Sequence, residues 1–253
     1  ALGLCCLALE LSAETFPMPA YENHSQMYVP PLTADRVEDF LSSGFDIVRQ
    51  LPDGGYEVVA TTADRFALIT RFGAQVTIDD MESFFRARIG AAATMGGYHT
   101  YSETMAELDS IHAANPSITL VDTIGFSLQG RPIVAMKISD NAAVDETGEV
   151  EVMYCGLIHA REPVTLEAIL TQIHWMLEHP SDTENVRLIE TSEIWFVPII
   201  NVDGYVFNET TNPDGGGMWR KNLRDNGDGS YGVDLNRNWG FQWAKYANSS
   251  SSG

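Results

Sequence analysis

The sequence predicts an α/β protein in two parts: a small α+β unit leading a larger mixed, mostly parallel sheet flanked by helices. Three observations carry this. A pattern occurs twice, as TADRVEDFLSSGFDIV at 33–48 and TADRFALITRFGAQVT at 62–77. Beyond Tyr98, extended apolar runs alternate with helical ones, as in a sheet covered on both faces. Finally, 44% hydrophobic and 10% aromatic residues over 253 positions suit a packed globular protein.

The repeat defines the small unit, residues 15–92. Thr33 and Thr62 are placed to N-cap a helix, with Asp35 and Asp64 in its first turn, where a negative charge is favoured. Val37, Phe40 and Leu41 share one helical face; Phe66, Ile69 and Thr70 do so more loosely. Gly44 and Gly73 stop the two helices, and FDIVRQ and AQVTI follow as extended runs. Between the copies, PDGG at 52–55 reads as a turn and YEVVA as a strand. With QMYV in front, the order is strand, helix, strand, strand, helix, strand: a split βαβ, ferredoxin-like unit. DDMESFFRARIG at 79–90 reads as a trailing helix, and GAAATMGG at 90–97 as a flexible linker. This unit gathers no cluster of histidine, cysteine and acid, so it reads as a folding or inhibitory module.

The larger unit, 93–253, opens with the helix YSETMAELDSIHAANP, capped by Ser102 and stopped by Pro116. ITLVDTIG and PIVAMKIS alternate like strands around FSLQGR. EVEVMYCGLI is an almost continuous apolar strand, TLEAILTQIHWML an amphipathic helix and EIWFVPII a second buried strand. Ligands of such sheets gather beyond the carboxyl ends of strands. His159 and Asn201 stand at two such ends.

Charge narrows the partners. Thirty-five acids against 15 bases give a net charge of −20, which repels nucleic acid. ALGLCCLALELSA at the start resembles the tail of a secretory signal, so residues 1–14 read as its remnant and the protein as secreted. That run is too short to span a bilayer; no stable membrane association is expected, and the chain is expected to be a monomer. Cys5 and Cys6 fall inside the signal, which leaves Cys155 without an internal disulfide partner, as a small apolar residue.

Chemistry concentrates in three stretches. GLIHAREP, 156–163, sets His159 and Glu162 three apart at a strand end, where coiling brings both side chains together. Zinc accepts that pair, and a catalytic site usually adds a third protein ligand and a water. His174 lies several turns into the following helix, and His24, His99, His112 and His179 are not placed to complete the set. GGGMWRKNLR, 215–224, puts Arg220, Lys221 and Arg224 beside a glycine run. YGVDLNRNW, 231–239, offers Asp234, Asn236 and Arg237. Guanidinium and amide donors suit a carboxylate partner. The acidic stretches DETGE at 145–149 and DNGDG at 225–229 hint weakly at calcium without matching an EF-hand loop.

Together HARE at 159–162, NVDGY at 201–205, WRKN at 219–222 and DLNRNW at 234–239 resemble, in order, the zinc metallocarboxypeptidases of the carboxypeptidase A type. YHTYSE at 98–103 resembles the family's opening segment, and the ferredoxin-like unit its pro-region. The resemblance implies a precursor of an exopeptidase that removes C-terminal residues from peptides and proteins, with a free C-terminus as its substrate. It implies zinc on His159 and Glu162, Asp234 fixing the His159 tautomer, and Arg220 polarising the scissile carbonyl. Asn236 and Arg237 would hold the terminal carboxylate, with Arg161 nearby. The family's third zinc ligand and general base lie downstream of these motifs, so the larger unit reads as the first part of a catalytic domain. Val202 stands where proline is common, which affects only turn rigidity. Two alternatives stay open: a related zinc amidase or acylase, since the DLNR element occurs there too, and a non-catalytic truncated form.

Overall fold

The structure is a computed structural model that describes residues 18–88, 94–240 and 243. The signal-like segment 1–14 and linker positions 90–93 lie outside the described residues.

The small unit runs β1 (Ser25–Val29), α1 (Ala34–Ser42), β2 (Asp46–Gln50), β3 (Tyr56–Ala60), α2 (Thr62–Phe72), β4 (Gln75–Ile78) and α3 (Met81–Arg86). Its strands lie in the order β2-β3-β1-β4, every pair antiparallel. Met27, Val29, Val58 and Ala60 point to one face, where Phe40 of α1 and Leu68 and Phe72 of α2 close the core. Period-2 strands and period-3.6 helices thus bury their apolar sides against each other.

Two local expectations change. The cap of α2 is Thr61, not Thr62: Asp64 N–H donates to Thr61 Oγ1 at 3.2 Å, and Thr61 N–H returns a bond to the Asp64 carboxylate at 3.2 Å. A capping box needs its acid three places beyond the cap, and Asp64 meets that only for Thr61. Separately, Leu68 and Phe72 are the buried positions of α2, while Phe66 and Ile69 face solvent. Gly73 ends the helix in the left-handed region at φ 67°, as expected.

The larger unit runs α4 (Tyr101–Ala114), β5 (Thr119–Phe126), β6 (Pro132–Ile138), β7 (Val150–Cys155), α5 (Val164–Glu178), α6 (Thr183–Thr191), β8 (Ser192–Val197) and α7 (Val202–Thr211). The α4 cap is Thr100 rather than Ser102, again because its capping-box acid, Glu103, sits three places on. The sheet order is β5-β6-β8-β7. The mixed α/β sheet is as predicted, but its mostly parallel character is not. β5 with β6 and β6 with β8 run antiparallel; β7 with β8 is parallel. The short FSLQGR turn permits only an antiparallel return, whereas β7 reaches β8 through the α5–α6 crossover.

The segment around 94–97 is not loose. Met95 is buried, and its N–H donates to Pro213 O at 2.7 Å. Beneath α4, α5 and α7 lies one core that includes Leu108, Met136, Ile138, Leu166, Ile173, Phe196 and Tyr205.

What positions the site is the parallel pair. Beyond their last residues the two chains stay joined: Gly156 N–H donates to Val197 O, Ile200 N–H to Gly156 O and Asn201 N–H to Leu157 O. A Cβ on Gly156 would stand 2.5 Å from Pro198 O, so only glycine allows this approach.

Candidate functional site

From the end of β7 the chain coils at once. Glu162 N–H donates to His159 O, and Thr165 N–H to Glu162 O. The Thr165 hydroxyl donates to Glu162 O at 2.8 Å and accepts from Leu157 N–H at 2.9 Å, clamping the loop from both sides. The His159 and Glu162 side chains therefore converge, with Nδ1 and Oε1 3.0 Å apart. The other imidazole nitrogen, Nε2, lies 3.2 Å from Asp234 Oδ1.

An imidazole between two carboxylates is a constrained arrangement. Neutral histidine has one N–H and can donate to only one of them. With that N–H given to Asp234, Nδ1 presents a lone pair to Glu162 Oε1, and two acceptors face each other. A proton or a metal cation between them resolves the conflict. Two donors at zinc–ligand distances of about 2.0–2.2 Å stand slightly over 3 Å apart, so the pair fits zinc. Burial pulls the His159 pKa down, but Asp234 and Glu162 outweigh it and the net shift is upward. Glu162 is lowered, chiefly by its His159 contact. Burial pushes Asp234 up, yet His159 and Arg220 together hold it well below the usual carboxylate range.

Arg220 completes the cluster. Its Nε and Nη2 lie 3.1 and 3.0 Å from Asp234 Oδ2, and Nη1 lies 3.8 Å from Glu162 Oε1. Arg161 turns to the small unit, where Nη1 meets Asp46 Oδ2 at 2.5 Å as a charge contact. Asp46 Oδ1 is also 3.6 Å from Arg220 Nε. Sequence reasoning missed Asp46; nothing around the head of β2 marks it. Lys221 is half-buried, and that burial lowers its pKa despite the nearby Asp64, Asp234 and Asp46.

Asn236 and Arg237 are placed differently. Asn236 N–H donates to Asp234 Oδ1 at 2.8 Å, but its side chain accepts from Trp239 Nε1. Arg237 is exposed, and its Nη1 donates to Asn236 O. The structure thus brings His159, Glu162, Asp234, Arg220 and Arg161 together, and leaves Asn236 and Arg237 on an exposed turn beside them.

The NVDGY stretch is framework. Asn201 caps α7, its Oδ1 accepting from Gly204 N–H. The buried Asp203 carboxylate accepts from Ser127 Oγ, Gln129 N and Arg131 Nη1, tying the β5–β6 turn to α7. Tyr205 OH donates to His99 O. His99 also has an acid partner that the sequence did not reveal: Glu167, 3.0 Å from Nδ1.

Of the acidic loops, 225–229 satisfies itself: Asp225 and Asp228 accept from the Gly227 and Ser230 N–H groups. In the other, Asp140, Glu146 and Glu149 approach one another, as do Asp145, Glu151 and Glu193. Lys137 Nζ, 2.7 Å from Glu193, already neutralises that carboxylate. Among the described residues, no such group of three includes His159.

Comparison with known proteins follows the same lines. A profile of the family described as zinc carboxypeptidase, peptidase M14, matches residues 104–253. A zinc carboxypeptidase of Saccharothrix mutabilis subsp. capreolus is 38% identical over 148 residues, covering 58% of this chain and 33% of its own length. Carboxypeptidase A2 of Rattus norvegicus is 36% identical over 145 residues, covering 56% and 32%. The carboxypeptidase A of Helicoverpa armigera superposes with a TM-score of 0.67 at 25% identity, over 91% of this chain and 62% of that one. Thrombin activatable fibrinolysis inhibitor, at 18% identity over 87% of this chain and 59% of that one, shares the fold with a TM-score of 0.60. The chain spans about a third of the length of those two curated relatives.

Proposed function

The chain belongs to the zinc carboxypeptidase family, and from that premise we propose that the whole protein is a secreted precursor of a zinc exopeptidase that removes C-terminal residues from peptides and proteins. The observation that carries the reading is the His159 imidazole held between Glu162 and Asp234 beside the Arg220 guanidinium.

His159 Nδ1 and Glu162 would hold the zinc, which when bound would supply a Lewis acid and lower the pKa of a water. Asp234 accepts the Nε2 proton of His159, which fixes the tautomer and keeps Nδ1 free as a donor atom. Arg220 faces the charge that develops on the scissile carbonyl oxygen; a guanidinium already oriented by Asp234 needs little reorganisation there. Arg161 contacts substrate near the metal pair. Asn236 and Arg237 receive the terminal carboxylate through amide and fork contacts. The third ligand and the general base that the family likeness implies are not among the described residues.

The precursor is a zymogen. In this reading residues 15–92 form its pro-region, 93–253 the first part of the catalytic domain, and 1–14 the remnant of its export signal. What supports the pro-region assignment is Asp46, which occupies Arg161 and Arg220 with a carboxylate from outside the catalytic unit. No helix among the described residues is long and apolar enough to cross a membrane. The protein acts as a monomer.

The test compares peptides with free and amidated C-termini, using the activated full-length protein with and without a zinc chelator. Single-residue release from the free peptide alone, abolished by the chelator, is expected. Equal cleavage of both peptides would turn the reading toward an amidase or acylase, which the family likeness does not favour.

A further inference from the structure

Asn208, on α7, belongs to none of the sequence motifs and is 1% exposed. Its amide meets two segments at once. Nδ2 donates to Ala160 O at 3.1 Å and to Trp219 O at 2.9 Å, while Oδ1 accepts from Trp219 N–H at 3.0 Å. Both amide hydrogens are therefore committed. Ala160 directly follows His159, and Trp219 directly precedes Arg220. Two turns earlier on the same helical face, Asn201 Nδ2 donates to Arg220 O at 3.2 Å and approaches Ile158 O at 3.4 Å. The carbonyls on either side of His159 are thus each held by an asparagine amide. The two segments meet directly through one backbone bond, Ala160 N–H to Arg220 O at 3.1 Å.

We infer that Asn208 is a positioning residue whose buried amide sets the spacing between the metal-ligand loop and Arg220; the inference rests on the zinc-peptidase reading above. It touches neither metal nor substrate. A rigid helix holds it, and displacements of about 1 Å at such a site cost on the order of a hundredfold in rate. Gly217 belongs to the same device. A Cβ there would stand 2.6 Å from Asn208 Oδ1, so glycine is what lets the amide reach the Trp219 peptide.

The test uses the full-length protein carrying Asn208→Ala, and in parallel Gly217→Ala, which displaces the amide without deleting it and decides the matter if the first variant does not fold. Zinc loss to a chelator is measured, and kcat and KM are measured separately on the zinc-loaded enzyme. Zinc loss about tenfold faster and kcat lower by about 10–100-fold are expected, in line with changes behind metal ligands, with KM within about twofold. A folded variant that melts earlier but keeps wild-type zinc retention and kcat overturns the inference. If the wild-type protein holds zinc yet cleaves no peptide, the functional reading fails, and zinc retention alone judges Asn208.

Discussion

The Asp46 carboxylate, at the head of β2, lies 2.5 Å from the Arg161 guanidinium, and their side chains are only 20% and 10% exposed. An acid of the small unit therefore occupies a cation of the candidate site, and also approaches Arg220. Such a pair lies between exposed bridges, worth under about 1 kcal/mol, and fully buried ones, whose disruption costs about 3–5 kcal/mol. Asp46→Asn should therefore weaken the association by about 1–2 kcal/mol, roughly tenfold. On the zymogen reading proposed above, uncleaved chain carrying the substitution should show about tenfold more peptidase activity than uncleaved wild type, with no difference after cleavage. Equal activities before cleavage would count against an inhibitory role for Asp46.

Asp234 answers to a different measurement. It is held ionised by His159 and Arg220 against the upward pull of burial, and on the proposed reading it accepts the Nε2 proton of His159. Asp234→Asn keeps the shape and loses the charge. Zinc affinity measured by chelator competition should fall about 10–100-fold, the usual effect of losing a partner behind a ligand histidine. Unchanged affinity would mean that the His159 tautomer is set elsewhere.

The place of Asp234 beside His159 came only with the resemblance that DLNRNW carries, whereas His159 and Glu162 were legible as a converging pair from a spacing of three at a strand end. Asp46 was not, because its partners come from the other unit and the strand around it carries no chemical signature. Asn208 was hidden for the same reason: an amide amid helix residues signals nothing until the loops it bridges are in place. In the fold, the TADR repeat located α1 and α2, yet the cap of α2 slipped to Thr61 because the acid three places on decides it. Asp182, three places beyond His179, serves as the cap of α6, accepting from Asn185 N–H. The sheet's antiparallel half was underestimated because a continuous apolar run does not state the direction of its neighbour.

Arg220 should separate binding from chemistry. Its guanidinium makes two contacts with Asp234 through Nε and Nη2 and turns Nη1 toward Glu162. A lysine cannot reproduce that fork. Arg220→Lys and Arg220→Ala should both lower kcat about 10²–10³-fold, as removal of one oxyanion donor does, with KM nearly unchanged. A loss confined to KM would assign Arg220 to substrate binding.

Acid stability of the small unit turns on a buried carboxylate. Glu82 of α3 is 1% exposed; it accepts from Tyr21 OH at 2.7 Å and His24 N–H at 2.9 Å, and its Oε1 lies 2.8 Å from His24 Nδ1. Burial pushes its pKa up, but His24 and Tyr21 outweigh that and leave it below the ordinary value. As pH falls, the unfolded chain therefore takes up this proton before the folded one does. The contribution is fully present above the unfolded value of about 4.3 and is lost as pH falls through the lower folded value. Glu82→Gln removes the titration along with charge-assisted bonds worth about 2 kcal/mol. The gap in melting temperature between wild type and variant should be widest near neutral pH and narrow steadily below about pH 4. Thermal melts from pH 7 to pH 3 check this, and a gap that stays constant to the acid end would show that the Glu82 charge does not stabilise the fold.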